Sequence, residues 1–121
     1  MRNYRDLQVW EKAHKLILAI YQGTYDFPKE ERFGLTSPIR RSSASIAANL
    51  AEGCGRRSDG EMPVSSQISM GLGSELSYHL LLARDFDLLK NTEYSRLNSD
   101  LEEVMRMLSS LSQKIRNALA A

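Results

Sequence analysis

The side chains in this sequence that could hold a metal or attack a bond are few. Two histidines, His14 and His79, one cysteine, Cys54, and carboxylates such as Glu52 and Glu75 are the candidates. Glu75 and His79 stand four apart, which places both on one face of a helix. A carboxylate-bridged di-metal bundle needs Glu-x-x-His motifs on two helices and partner glutamates on the others. His14 lies far from His79 in the sequence, and the ligand set stays short of a metal site. Glu52 and Glu75 could in principle share acid–base work, but Glu and Arg in a bundle more often serve the structure. Cys54 follows Gly53 at a helix end, not at a helix start, where a thiolate is stabilised. The glycines of Gly53-Cys54-Gly55-Arg56 lack the preceding strand and the following Gly-Lys-Ser/Thr of a phosphate loop, so they read as a helix terminator. No G-x-S-x-G elbow or Ser-x-x-Lys set is present. The expectation is a protein with no catalytic residues, no metal and no cofactor.

The composition agrees with that expectation. The 121 residues are 42% hydrophobic and 26% charged, with sixteen Lys and Arg against fifteen Asp and Glu. Such a mixture folds as one soluble globular domain over residues 1–121, and its net charge of +1 gives no bulk attraction to nucleic acid or membrane. One cysteine excludes an internal disulfide. No apolar run is long enough to span a bilayer, and the opening MRNYRDLQVWEK is too polar for a signal peptide. A cytoplasmic setting follows, with no membrane partner.

The elements that must position these residues are helices. Only Pro28, Pro38 and Pro63 interrupt the chain. Trp10, Ala13, Ile17, Ile20, Thr24 and Phe27 follow a three–four spacing that draws one helical stripe, widened by Leu16 and Tyr21. Pro28 then ends this segment. A second segment begins near Leu35, capped by Thr36 or Ser37, with Pro38 in its first turn. Ile39, Ser43, Ile46 and Leu50 mark its inner face. Its small residues from Ser42 to Ala48 predict a tight helix–helix contact. In the third segment Ile68, Leu72, Leu76, Leu80, Ala83 and Leu89 define the expected buried side, and Gly71 and Gly73 read as close packing or slight weakness. In the fourth, Tyr94, Leu97, Leu101, Val104, Leu108, Leu111, Ile115 and Ala118 alternate threes and fours without a miss. The pattern predicts an all-α, antiparallel up-and-down four-helix bundle with helices over about 6–27, 36–54, 62–90 and 93–119.

Local charge is more informative than the total. Residues 35–57 carry Arg40, Arg41, Arg56 and Arg57 against Glu52 alone, a local charge of +3. Residues 58–91 hold Arg84 and Lys90 against Asp59, Glu61, Glu75, Asp85 and Asp87, or −3. Arginine forks onto phosphate or carboxylate better than lysine does. The two arginine pairs stand roughly 24 Å apart along a helix, too far for one pocket in a single chain. At least one of the four is expected to be structural, with Arg40 or Arg41 pairing Glu52, Glu75 or another carboxylate. Arg56 and Arg57, in a loop, are the better exposed contacts. Aromatics do not interleave with these arginines, so any nucleic acid is expected to be held by its backbone and shape.

The stretch Arg40 to Gly55, RRSSASIAANLAEGCG, stands with Leu7-Gln8-Val9-Trp10-Glu11-Lys12-Ala13, Tyr21, Phe27-Pro28 and Gly34-Leu35. Together they resemble the bacterial four-helix-bundle family also called the 23S ribosomal RNA intervening-sequence proteins, almost without gaps from Leu7 to Leu89. The resemblance implies a small non-enzymatic bundle that assembles into a homopentameric ring, some of its relatives being encoded within insertions in 23S rRNA genes. The matched polar positions are Arg40, Arg41, Ser45, Asn49, Glu52, Gly53, Gly55, Arg56, Glu61 and Glu75. Ser45, Asn49, Glu52 and Glu75 are expected to form a structural polar network. Met62, Pro63, Ser65 and Ser66 replace the larger residues usual at the start of the third helix, and Gly71-Leu72-Gly73 replaces G-S-L. Each missing large side chain costs several kcal/mol, about 2–5, where the structure does not close around the gap. The function expected is RNA or DNA backbone binding by an oligomer through Arg40, Arg41, Arg56 and Arg57. The alternative is a scaffold whose arginines grip a neighbouring subunit or an unidentified protein partner.

Overall fold

A computed structural model describes residues 3–55 and 61–120. Four long helices make up most of it: α1 (Gln8–Gly23), α2 (Ser37–Gly55), α3 (Glu61–Asp85) and α4 (Asn91–Ala120), with short helical turns at Tyr4–Asp6, Lys29–Glu31 and Arg32–Thr36 and no strand among the described residues. Helices α1 and α3 each pack against both α2 and α4, which closes the four into a ring. The hydroxyl of Ser69 on α3 reaches the Ile46 carbonyl of α2, while Gly53, further along α2, meets the earlier Ser65. Ser66 faces Ser112, and Gly73 faces the earlier Met105. Neighbours therefore run antiparallel, as the short connections require.

The core is made of Ile20, Ile39, Ile46, Leu50, Leu76, Leu80, Leu97, Leu101, Val104 and Leu108, none more than 1% exposed. On α2, the expected inner residues Ile39, Ser43, Ile46 and Leu50 are all buried. The seam of α4 is buried from Leu97 to Leu108, half-covered at Leu111 and Ile115, and exposed at Ala118. The Lys12–Glu103 pair sets the start of α1 close to the level of residue 107, so the last turns of α4 outrun it.

Three expectations are corrected. First, α1 stops at Gly23, not near Phe27. Thr24 leaves the helical angles, its hydroxyl bonds the Ile20 carbonyl, and Phe27 N–H closes a turn onto the Thr24 carbonyl. Second, α3 ends at Asp85, not Lys90, because Asp87 takes a left-handed conformation (φ 62°) and Leu88 and Leu89 both donate to the Ala83 carbonyl. Third, the first half of α3 is rotated. Ile68 is 47% exposed and Leu72 only half-buried, whereas Ser65, Ser66, Ser69 and Gly73 are buried.

The rotation has a packing cause. Serine and glycine let α3 settle close to its neighbours, and each hydroxyl that goes inside needs a partner. Ser69 donates to the Ile46 carbonyl at 3.0 Å, and the Ser66 and Ser112 hydroxyls share a 2.6 Å bond. Ser42 and Ser43 on α2 satisfy themselves within their own helix, on the carbonyls of Pro38 and Arg40. Closer helices thus take the place of larger side chains.

Two glycines test this reading in opposite directions. A Cβ on Gly53 would lie 2.7 Å from both Met62 Sδ and Ser65 Oγ and 2.8 Å from Ser65 Cβ, whereas one on Gly71 meets nothing within 4 Å. Gly53→Ala should destabilise the protein by about 1–3 kcal/mol, because α3 must move away. Gly71→Ala should stabilise it by about 0.5–1 kcal/mol by removing backbone freedom from a helix interior. Urea midpoints of the two variants measure both, and a common sign would refute the close approach of α2 and α3.

Candidate nucleic-acid interface

The four arginines read from the sequence do not share one environment. Arg56 and Arg57 lie outside the described residues. Arg40 is half-buried against the C-terminal end of α1. Its Nε–H donates to Thr24 Oγ1 at 2.9 Å, Nη2 reaches the Tyr21 carbonyl at 3.4 Å, and the guanidinium stacks 4.7 Å from the Tyr21 ring centroid. Thr24 can accept because its own proton goes to the Ile20 carbonyl at 2.8 Å. A cation belongs here on physical grounds: the last carbonyls of α1 lack helical partners and carry the negative end of its dipole.

Arg40 is thus the structural arginine, but its partners are a hydroxyl, a carbonyl and an aromatic face. The expected pairing with a carboxylate is not seen for Arg40 or Arg41 among the described residues. Arg41, one residue on, takes no part in that clamp and is exposed. Adjacent positions on a helix differ by about 100°, which separates their roles.

The expected polar network is only partly assembled. Asn49 donates its amide to the Ser45 carbonyl at 2.8 Å, one turn back on α2. Glu52 is exposed near the end of that helix. Glu75 is exposed on α3 and makes no hydrogen bond or ion pair among the described residues, so it does not join Asn49 and Ser45. Besides the Arg40–Thr24 bond, hydrogen bonds between helices come from Ser66, Ser69 and Ser112. Sequence spacing does not reveal them, because serine carries no periodic signal.

The histidines also separate. Nδ1 of half-buried His79 has no hydrogen-bond partner among the described residues, and neither does buried Oγ1 of Thr36. Glu11 and His14 have the Glu-x-x-His spacing that Glu75 and His79, four apart, do not. Glu11 pairs with Lys15 at 3.3 Å, however, and His14 stacks in parallel on Trp10 with ring centroids 5.0 Å apart. Among the described residues no three His, Cys, Asp or Glu side chains converge as a metal would require. No helix among them is long and apolar enough to cross a membrane.

A feature the sequence did not show is the placement of aromatics. Tyr21 and Tyr25 on and just after α1, Phe33 in the connection to α2, and Tyr78 and Phe86 at the far end of α3 are all exposed. The antiparallel order puts all five toward the same end of the bundle, where Tyr21 stacks on Arg40 and Tyr25 shares a hollow with it. A shallow hollow of about 500 Å³ opens there, lined by Tyr21, Gln22, Tyr25, Asp26 and Arg40. Interleaved aromatics and arginines therefore do exist, supplied by different helices.

Four antiparallel helices around one aliphatic core define a small helical-bundle protein. The family model of the 23S rRNA-intervening sequence protein matches residues 5–110, and the chain belongs to that family. A crystal structure at 1.70 Å resolution is similar in fold: a protein of unknown function of the S23 ribosomal protein family from Bacteroides thetaiotaomicron VPI-5482. The two superpose with a TM-score of 0.76 at 23% identity, over 86% of this chain and 97% of the other. No curated protein matches this sequence.

The Arg40 clamp makes a specific demand on chemistry. Arg40→Met should cost about 1–3 kcal/mol, since Thr24 loses its charged donor and α1 its terminal cation. Arg40→Lys should recover little, because an ammonium cannot both stack on Tyr21 and fork to two oxygens. Thermal or urea unfolding of the pair measures this, and full stability of Arg40→Lys would contradict the geometry.

Proposed function

We propose that this protein is a non-enzymatic, self-associating bundle, working without metal or cofactor in the cytoplasm, that binds the backbone of RNA or DNA through the arginines of α2. The observation that carries the reading is Arg41. It is exposed beside the anchored Arg40 and has no ion pair among the described residues. A guanidinium left facing water at the start of a helix is suited to a phosphate oxygen. Arg56 and Arg57 extend the same reading by sequence, and the family's link to ribosomal RNA genes favours RNA.

Self-association is supported by the outer face of α3. Val64 is 53% exposed, Ile68 47% and Tyr78 58%, along a stripe that runs opposite the buried serines. A helix apolar on two faces has a second surface to cover. The resemblance to the family implies five copies in a ring, in which the Arg41 of each subunit would repeat as part of a basic belt. The same stripe favours a second reading, a protein scaffold in which the arginines grip a neighbour.

Two measurements separate these. Binding of structured RNA and duplex DNA across a salt series should weaken linearly in log–log form, with about 0.9 counterion released for each phosphate neutralised. Arg41→Ala should lower that slope by about one, the share of a single neutralised phosphate. Absence of binding at low salt would leave only the scaffold. Separately, Ile68→Glu should reduce the native mass measured by light scattering while helicity persists. An unchanged mass would remove the stripe from the assembly.

A further inference from the structure

We infer that the hollow between Tyr21, Tyr25 and Arg40 binds an unpaired nucleotide of a single strand, its base stacked on Tyr25 and its phosphate on Arg40. This site rests on the nucleic-acid reading above and adds to it a place on the protein and a strand form.

Three properties of the hollow point to a nucleotide. Tyr25 is 80% exposed, in a turn just after α1, and so presents a free aromatic face. Such rings accept any base and are the usual platforms for unpaired strands. The Arg40 guanidinium forms part of the wall and is already fixed by Thr24, the Tyr21 carbonyl and the Tyr21 ring. It has five N–H groups. Two are used in those bonds, which leaves donors for a phosphate on a side chain whose freedom is already spent. Gln22 and Asp26 complete the lining. A carboxylate repels phosphate, yet it accepts from the exocyclic amine of a base such as cytosine.

The mixture of donors and acceptors argues against a purely phosphate site. A duplex hides its base faces in the stack and could offer this hollow only its backbone. An unpaired base offers a ring face to Tyr25, an amine edge to Asp26 and Gln22, and a phosphate to Arg40. The hollow is shallow, and its five lining residues offer contacts on the scale of a single nucleotide.

The test uses the full chain and a labelled twelve-nucleotide oligo(C), as RNA and as DNA, at neutral pH, with its duplex as control. Anisotropy should show the single strand bound more tightly than the duplex. Tyr25→Ala should weaken the single strand about tenfold and leave the duplex unaffected, while Tyr25→Phe retains binding. Tyr25 is exposed enough that its removal should not disturb folding, which circular dichroism checks. If Tyr25→Ala binds the single strand as well as the parent while Arg41→Ala binds it less, the hollow is not the site and the backbone reading stands. If neither strand form binds at low salt, both readings fall together.

Discussion

The close approach of α2 and α3 is the constraint on which the rest of this structure depends. Gly53 leaves no room for a methyl group against Met62 and Ser65, and Ser69 touches the α2 backbone through its hydroxyl. Large side chains at these places would set the helices at a more ordinary separation of about 8–10 Å with bulk between them. Small ones remove the bulk and replace it with contact and hydrogen bonds. The consequence is felt on the opposite side of α3. Once Ser65, Ser66, Ser69 and Gly73 occupy the inner stripe, Val64 and Ile68 must lie on the outer one. An exposed apolar face is thus produced by the internal packing, and the assembly proposed above uses a surface that the core had already dictated.

The second organising contact is Arg40. It holds the end of α1 against the start of α2 by contacting the terminal threonine, the Tyr21 carbonyl and the Tyr21 ring together. The same contact explains why α1 stops where it does. Thr24 turns its hydroxyl to Ile20 and its oxygen to the guanidinium, and the chain leaves the helix at that point. The arrangement fixes the orientation of Tyr21 and places Tyr25 beyond it, open to water. One residue therefore links helix termination, interhelical packing and the shape of the hollow.

Much of the fold was legible in the sequence because hydrophobic periodicity records which side faces in. The seam of α4 from Leu97 to Leu108 and the inner face of α2 from Ile39 to Leu50 are where the spacing put them. The first half of α3 was misread for the same reason. Counting aliphatic residues selects Ile68 and Leu72, whereas the buried stripe is made of serine and glycine, which the count ignores. Its signal was still present as a departure from the family pattern at Ser65, Ser66 and Gly73. The site was less legible than the fold. Arg40 and Arg41 are neighbours in sequence and differ in role only because a helix turns between them. The Tyr21–Arg40 stack joins residues 19 apart across two helices. No local pattern encodes that contact.

Charge at the aromatic end follows a similar logic. Lys29, Arg32, Arg40 and Arg41 share it with Asp26, Glu30 and Glu31, a local charge of +1, so the field is nearly balanced even though residues 35–57 taken alone carry +3. A balanced field gives little long-range attraction to a polyanion, and screening at physiological salt confines what remains to about 8 Å. Whatever discrimination this end achieves must then come from contact. Ring faces and a pre-positioned guanidinium act at contact distance and lose little to salt, whereas solvated arginines act through released counterions. The aromatic end of α2 is therefore suited to shape and stacking, whereas Arg56 and Arg57, which follow α2 in the sequence, bring charge with no aromatic residue near them in the sequence.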